Sequence, residues 1–230
     1  SVELKQKNLV WAYQNIEMPL IPVLTRLEKT GIACDAKILG RAAKEIRGKI
    51  SKLEKEIYKY AGENFNINST KDLSRVLFEK LNISTKGIRK TGGGKTSTKF
   101  SELMKMQKTH SIIQKIIEYR ELAKIISTYI DALPKTIGPD GRIHTTFNQT
   151  GTVTGRLSSA DPNLQNIPAK SEFGDVIRRA FHAEPPKTFL AFDYSQMQLR
   201  IAAYLSGDKK LLEFFREGRD VHRAVASEVF

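Results

Sequence analysis

The sequence predicts an α+β fold, helical through residues 1–133 with a partial sheet after them. Apolar side chains recur at helical spacing over residues 36–60, 71–81 and 100–133. Pro134 and the turn Gly138-Pro139-Asp140-Gly141 then interrupt that pattern. Beyond them, Arg142-Ile143-His144-Thr145-Thr146-Phe147 alternates in strand fashion, and Thr188-Phe189-Leu190-Ala191-Phe192 reads as a short buried strand. A chain of 230 residues with 40% apolar content holds one large or two small domains with real cores.

Residues 8–29 carry apolar positions from Val10 to Leu27, interrupted by Pro19 and Pro22, which predicts a broken helix or two short ones. Gly31 marks the stop. From Ala36 to about Tyr60, Ile38, Leu39, Ala42, Ile46, Ile50, Leu53, Ile57 and Tyr58 fall on one face, with Lys and Glu elsewhere. This is a long amphipathic helix stabilised more by packing than by charge pairs, which form no consistent ladder. Asn68-Ser69-Thr70 offers N-caps for a helix over 71–81 with Leu73, Val76, Leu77 and Leu81 as its apolar side. A further helix runs from Phe100 to Leu133, ended by Pro134.

Charge points to a polyanionic partner. Lys and Arg total 38 against 25 Asp and Glu, a net charge of +13, although solvated surface charge alone would also account for it. No run reaches the ~18 to 20 apolar residues that span a bilayer, and no signal peptide is evident. The expectation is a soluble protein of the cytoplasm, in a bacterial or phage-infected cell, with an organelle also allowed. The single Cys34 excludes an internal disulfide or a multi-cysteine zinc site and reads as a packing residue.

Residues 84–99 are basic at 86, 89, 90, 95 and 99 and nearly devoid of apolar side chains, which predicts an exposed, mobile loop. Gly94-Lys95-Thr96 has the end of a phosphate-binding loop, but the required glycine five positions before Gly94 is Arg89 and no strand leads in. A loop touching a nucleic-acid backbone through Lys90, Lys95 and Lys99 suits the composition; a solvated linker is the alternative. Residues 150–168 are too polar and too rich in Gly, Pro and Asn for regular structure, a length that in a compact domain marks a functional or a solvated loop.

At the end of the 188–192 run, Asp193 stands at the seam with a helical pattern of Met197, Ile201, Tyr204 and Leu205. A carboxylate there is placed either to cap the helix or to hold a divalent cation. The string Asp193-Tyr194-Ser195-Gln196-x-x-Leu199-Arg200 resembles the first palm motif of family A DNA polymerases, the bacterial DNA polymerase I group of replication and repair enzymes. Thr154-Gly155-Arg156-Leu157-Ser158-Ser159 through Pro162-Asn163-Leu164-Gln165-Asn166-Ile167-Pro168 resembles a second signature of that family and favours the DNA enzymes over single-subunit RNA polymerases. Tyr119-Arg120-Glu121-Leu122 through Tyr129 resembles the base of the family's thumb.

The resemblance implies an N-terminal helical segment at 1–34 packing on the palm, a helical thumb at 35–133 with the basic loop 84–99 at its tip, and the first part of an antiparallel-sheet palm at 134–230. It implies template-directed transfer of deoxynucleotides to a primer 3′-hydroxyl, with two Mg2+ ions, primer–template DNA and deoxynucleoside triphosphates as partners. Asp193 and the Tyr194 backbone carbonyl are the implied metal ligands, with Asp193 catalytic. Gln196, Gln198 and His222 are implied at the nucleotide. Arg156, Gln165, Asn166 and Lys170 are implied on DNA, where amide and guanidinium donors test pair shape without reading sequence. For Arg178 and Arg179, phosphate contacts, salt bridges and plain surface charge stay open.

Gln198 departs from the family, which usually has Glu there to exclude ribonucleotides. Gln keeps nearly the same volume but is neutral, so the expectation is a steric gate without its charge-dependent part. A fingers helix and the second palm carboxylate do not follow Asp193, which gives the expectation of a truncated piece or one half of a split enzyme, active only with a polypeptide carrying those parts. The alternative is a non-catalytic primer–template duplex-binding module.

Overall fold

The computed structural model describes all residues except 91, 95, 169–171, 222, 224, 225 and 228–230, and Glu172 by its backbone only. The fold is α+β, with helices around two small antiparallel sheets. The chain divides into two compact units, Ser1–Lys187 and Thr188–Phe230.

The first unit opens with α1 (Val2–Gln6), then α2 (Val10–Ala12), a π turn at Tyr13–Glu17 and α3 (Met18–Thr30). The break expected at the prolines is absent. The Met18 N–H donates five residues back to the Tyr13 carbonyl, and this wider turn accommodates the Pro19 ring, which has no N–H to give. Gly31 ends α3 with φ +59, and a Cβ there would lie 2.8 Å from the His144 ring and the Ile143 carbonyl. Only glycine fits both constraints.

After Gly31 comes β1 (Ile32–Cys34), a strand too short to show in the sequence pattern. It pairs antiparallel with β2 (Arg142–Ile143) through Ile32 to Ile143 and with β5 (Phe181–His182) through Cys34 to Phe181. Cys34 is buried, which pushes its thiol up to about 11. It is an inert packing residue. The strand expected over 142–147 is two strands in different sheets, because the ladder to β1 ends at Ile143 and a separate pairing begins at Thr146, with His144 and Thr145 in neither. The second, β3 (Thr146–Asn148), pairs with β4 (Ser158–Ala160), a strand inside the run expected to lack regular structure.

Helix α4 (Ala36–Ala61) matches its expected span. Asp35 caps it by accepting from the Lys37 N–H at 2.7 Å, and left-handed Gly62 closes it. Its face of Leu39, Ala42, Ala43, Ile46, Leu53, Ile57 and Ala61 is buried. Helix α5 (Thr70–Ser74), capped by Ser69, continues as a π turn at Arg75–Lys80. The helix expected over 100–133 is divided into α6 (Phe100–Lys105) and α7 (Ser111–Ile125), followed by a π turn at Ile126–Ile130 and a 3-10 turn at Leu133–Thr136 that contains Pro134. The division arises because the Thr109 hydroxyl donates to the Met106 carbonyl and the His110 ring accepts from the Ile112 N–H at 3.1 Å, so side chains replace the helical bonds.

Helix α8 (Glu172–Ala180) is an addition to the elements expected from the sequence, and it seats Ile177 and Ala180 against α4 in the core. The core is therefore built from α4, α7, α8, the α5 segment and the three-stranded sheet. In the second unit, residues 188–192 are neither a strand nor buried. They are irregular, with Phe192 91% exposed and Leu190 77% exposed. Among the described residues nothing pairs with their backbone, so the apolar run lacks what a strand needs. Helix α9 (Met197–Ser206) follows, then α10 (Lys209–Arg216), joined through left-handed Gly207 and the Asp208 cap.

Candidate functional site

Two groups of sequence-predicted residues fall in different units. In the first unit, the segment 145–168 is shaped by buried hydroxyls. Thr145 Oγ1 lies 2.6 Å from Ser159 Oγ and donates toward the carbonyls of Ala160 and Pro162, while the Leu164 N–H donates to Ser159 Oγ at 3.1 Å. Both hydroxyls are buried, so they satisfy backbone groups that water cannot reach. Gly151 lies against Ser158 where a Cβ would collide. The result is an irregular path with a fixed shape.

That path presents Arg156, Gln165 and Asn166 to solvent, and their side chains make no hydrogen bond or ion pair among the described residues. The Asn166 carbonyl accepts from the Tyr129 hydroxyl in the π turn that follows α7. Tyr129, which the sequence marks as apolar and as the end of the thumb-base resemblance, holds the Asn166 backbone by this bond. Its phenol is held in the protonated form by burial.

The loop 84–99 differs from the fully exposed, mobile loop expected. Lys90 and Thr96 form an antiparallel bridge, the Ser97 N–H donates to the Arg89 carbonyl at 2.9 Å, and Ser97 and Thr98 are buried. Glu102 accepts from the Arg89 N–H at 3.1 Å and pairs with Lys105 at 2.9 Å, and both neighbours hold its carboxyl below the usual range. Arg120 donates to the Thr98 carbonyl at 2.7 Å and to the Ile67 carbonyl at 3.2 Å. The base of the loop is thus anchored by α6 and α7, while Lys90, the glycines at 92–94 and Lys99 stay exposed. Lys95 and Lys170 lie outside the described residues.

In the second unit, Asp193 is exposed and does not cap α9, whose N-cap is Gln196. Gln196 adopts a left-handed backbone, φ 54 and ψ 32, with no side-chain cap bond. A non-glycine residue held there costs ~1 kcal/mol. The turn is fastened by Arg200, whose Nε donates to the Ser195 carbonyl at 3.0 Å and whose guanidinium lies 4.6 Å from the Phe215 ring centre. Asp193, Tyr194, Ser195, Met197, Arg200, Ile201 and Tyr204 line an open hollow. Gln198 is exposed beside it on α9. His222 lies outside the described residues, although the Asp220 carboxylate accepts from the Arg223 N–H at 3.2 Å just beside it.

Among the described residues no group of three or more His, Cys, Asp or Glu side chains converges as a metal cage. Asp193 makes no hydrogen bond among them, and the Tyr194 carbonyl accepts only from the Met197 N–H at 3.4 Å. Both oxygens are therefore open to a hard cation. No described helix is long and apolar enough to cross a membrane.

A profile of DNA polymerase family A matches residues 36–230. The chain belongs to DNA polymerase family A. It is 48% identical over 227 residues to the thermostable DNA polymerase I of Thermus aquaticus, covering 98% of this chain and 27% of that protein. Identity to the DNA polymerase I of Caldicellulosiruptor bescii is 49% over 219 residues, covering 95% and 25%. Among solved structures, the polymerase domain of Pol1 from M. smegmatis, in complex with DNA primer–template and dNTP, superposes with a TM-score of 0.89 at 37% identity, covering 98% of this chain and 40% of that one. The chain thus spans about a quarter of the length of the curated relatives it matches.

Proposed function

We propose that this chain provides the thumb and the first part of the palm of a DNA-directed DNA polymerase, working with a segment that carries the fingers and the later palm. The observation that carries this reading is the match of nearly the whole chain to a polymerase domain solved with primer–template and dNTP. Residues 1–34 are the segment on the palm, 35–133 the thumb and 134–230 the first part of the palm. The missing segment is supplied either by the same polypeptide or by a second one.

In this reading Arg156, Gln165 and Asn166 meet the minor groove near the primer end, where their unpaired donors find acceptors at every base pair. Lys90, Lys99 and the glycine N–H groups of the loop meet phosphates. Lys95 and Lys170 join them. Asp193 and the Tyr194 carbonyl are hard oxygen donors that suit Mg2+, and such ions would supply Lewis-acid stabilisation of the charge that develops as the primer 3′-hydroxyl displaces pyrophosphate. Gln196, set by its left-handed backbone, and His222 position the triphosphate. Gln198 faces the sugar and excludes the 2′-hydroxyl by volume alone. A Gln198→Glu variant tests that last role, since an unchanged ratio of ribo- to deoxynucleotide incorporation removes it.

The test of the whole reading is primer extension with Mg2+ and all four deoxynucleotides, by the chain alone and with a fingers and later-palm fragment added. Extension only in the second case is the expected result. Salt-sensitive duplex binding with no extension in either case would overturn it in favour of a non-catalytic binding module.

A further inference from the structure

In sequence the polar face of α4 reads as mixed Lys and Glu, but the structure sorts them. Lys37, Arg41, Lys44, Lys52, Lys55 and Lys59 are all exposed. At 3.6 residues per turn they fall within an arc of roughly 80°, on the side opposite the apolar face, and run for roughly 33 Å. The apolar face packs on α7 and α8, so the cations look away from both. Gly48 lies within the same arc, and a Cβ there would meet nothing within 4 Å. The surface is open along its length.

The acids of α4 do not neutralise this row. Glu45 pairs with Lys49 at 3.1 Å, Glu56 with Lys115 at 2.7 Å, and Glu54 accepts from the Tyr119 hydroxyl at 3.3 Å. Among the described residues the side chains of the six cations form no ion pair or hydrogen bond. Like charges three and four residues apart on a helix repel, and nothing in the described fold offsets that cost.

We propose that this face of α4 is a second nucleic-acid surface, binding the phosphate backbone of duplex without reading sequence. Cores of protein interfaces are depleted in Lys and enriched in aromatic residues, and this row is all cation. It also lacks the aromatic side chains on which single-stranded bases stack. A straight row of Lys and Arg suits phosphates. The six cations are none of the residues assigned to DNA above, although Lys49 on the flank of α4 lines a hollow with Asn166, and the proposal does not depend on the polymerase reading, because its readout needs no catalysis.

The experiment is a salt titration of binding to a labelled blunt duplex of random sequence, followed by anisotropy. It compares the full chain with a variant in which all six cations are changed to Gln and with a loop variant carrying Lys86→Gln, Arg89→Gln, Lys90→Gln and Lys99→Gln. Each phosphate that a cation neutralises adds about 0.9 to the slope of log affinity against log salt. The six-site variant should therefore give a slope shallower by roughly 3 to 5 and bind about tenfold or more weakly at low salt, with a circular-dichroism melt no lower than the parent's, since the repulsion along the row is relieved. The loop variant should keep that component. An unaltered slope in the six-site variant overturns the proposal, and so does complete loss of duplex binding in the loop variant alone. Tighter binding of poly-glutamate than of duplex at equal charge would also overturn it and assign the row to an acidic protein.

Discussion

In the unit Ser1–Lys187, Leu39, Ile46, Ile57 and Ile116 are closed off from solvent, whereas in Thr188–Phe230 the side chains of Phe189, Leu190, Phe192 and Leu205 stand mostly exposed. The first region is stabilised by its own burial. The second holds its form through local devices: the Arg200 clasp, the Asp208 cap and a small contact between α9 and α10 that buries Ala203 and Phe214. The residues proposed for chemistry thus sit on the part with less internal support, the usual source of segments that order with a partner. The N-terminal helices share some of this character, since Trp11 and Val23 are exposed too.

The sharpest way to separate the two regions is Asp193→Asn. In a reconstituted polymerase, loss of several kcal/mol of charge stabilisation should lower primer extension by ~10³-fold, at 1.36 kcal/mol per tenfold. Duplex binding by the first unit should be unchanged. Equal loss of both would make Asp193 a structural residue. Next in size, Ile57→Ala in the closed core should cost about 2–5 kcal/mol in urea unfolding, while Phe192→Ala should stay within about 0.5 kcal/mol. Similar costs at the two sites would erase the contrast.

Within the first unit, Thr145→Val keeps the shape but removes the single hydroxyl proton directed at the Ala160 and Pro162 carbonyls, of which Pro162 keeps the Ser159 hydroxyl as a donor. A loss of about 1–3 kcal/mol is expected, together with weaker duplex binding through residues 156–166. The smallest effect is that of pH on His144. Its ring nitrogens face the Glu28 carbonyl at 2.7 Å and the Asp140 carboxylate at 3.0 Å, and these partners raise its pKa above 6.5. A raised folded-state value means that the added stability is complete below 6.5 and is lost as pH rises through the folded value. Unfolding midpoints measured from pH 6 to 9 should decline slightly in the parent and less in His144→Gln.

Much of the helical scaffold was legible because its signals are local. Asp35 and Gly62 bracket α4, Ser69 caps α5, and apolar spacing marks the faces of both. Helix α8 carried the same signal in Phe173, Val176, Ile177 and Ala180 and could have been found by it. What failed depended on partners distant in sequence. β1 exists because Ile143 and Phe181 flank it, and 188–192 is not a strand because nothing described pairs with it. In the site, Asp193, Arg156, Gln165 and Asn166 could be singled out through motifs. Arg120 and Tyr129 lay within the thumb-base resemblance but their partners could not be read from it, and Glu102 and Thr145 carried no such signal, since each acts through a hydrogen bond that spacing does not encode.

Helix α7 and the π turn that extends it carry two of those bonds at separate places. Arg120 grips the carbonyl of Thr98 beneath the basic loop, and Tyr129 grips the carbonyl of Asn166 beneath the exposed amides. The two grips lie nine residues apart on one rod, roughly 14 Å at 1.5 Å per residue. That one run of backbone therefore acts as a ruler, setting the spacing between the anchor of the basic loop and the anchor of the exposed amides.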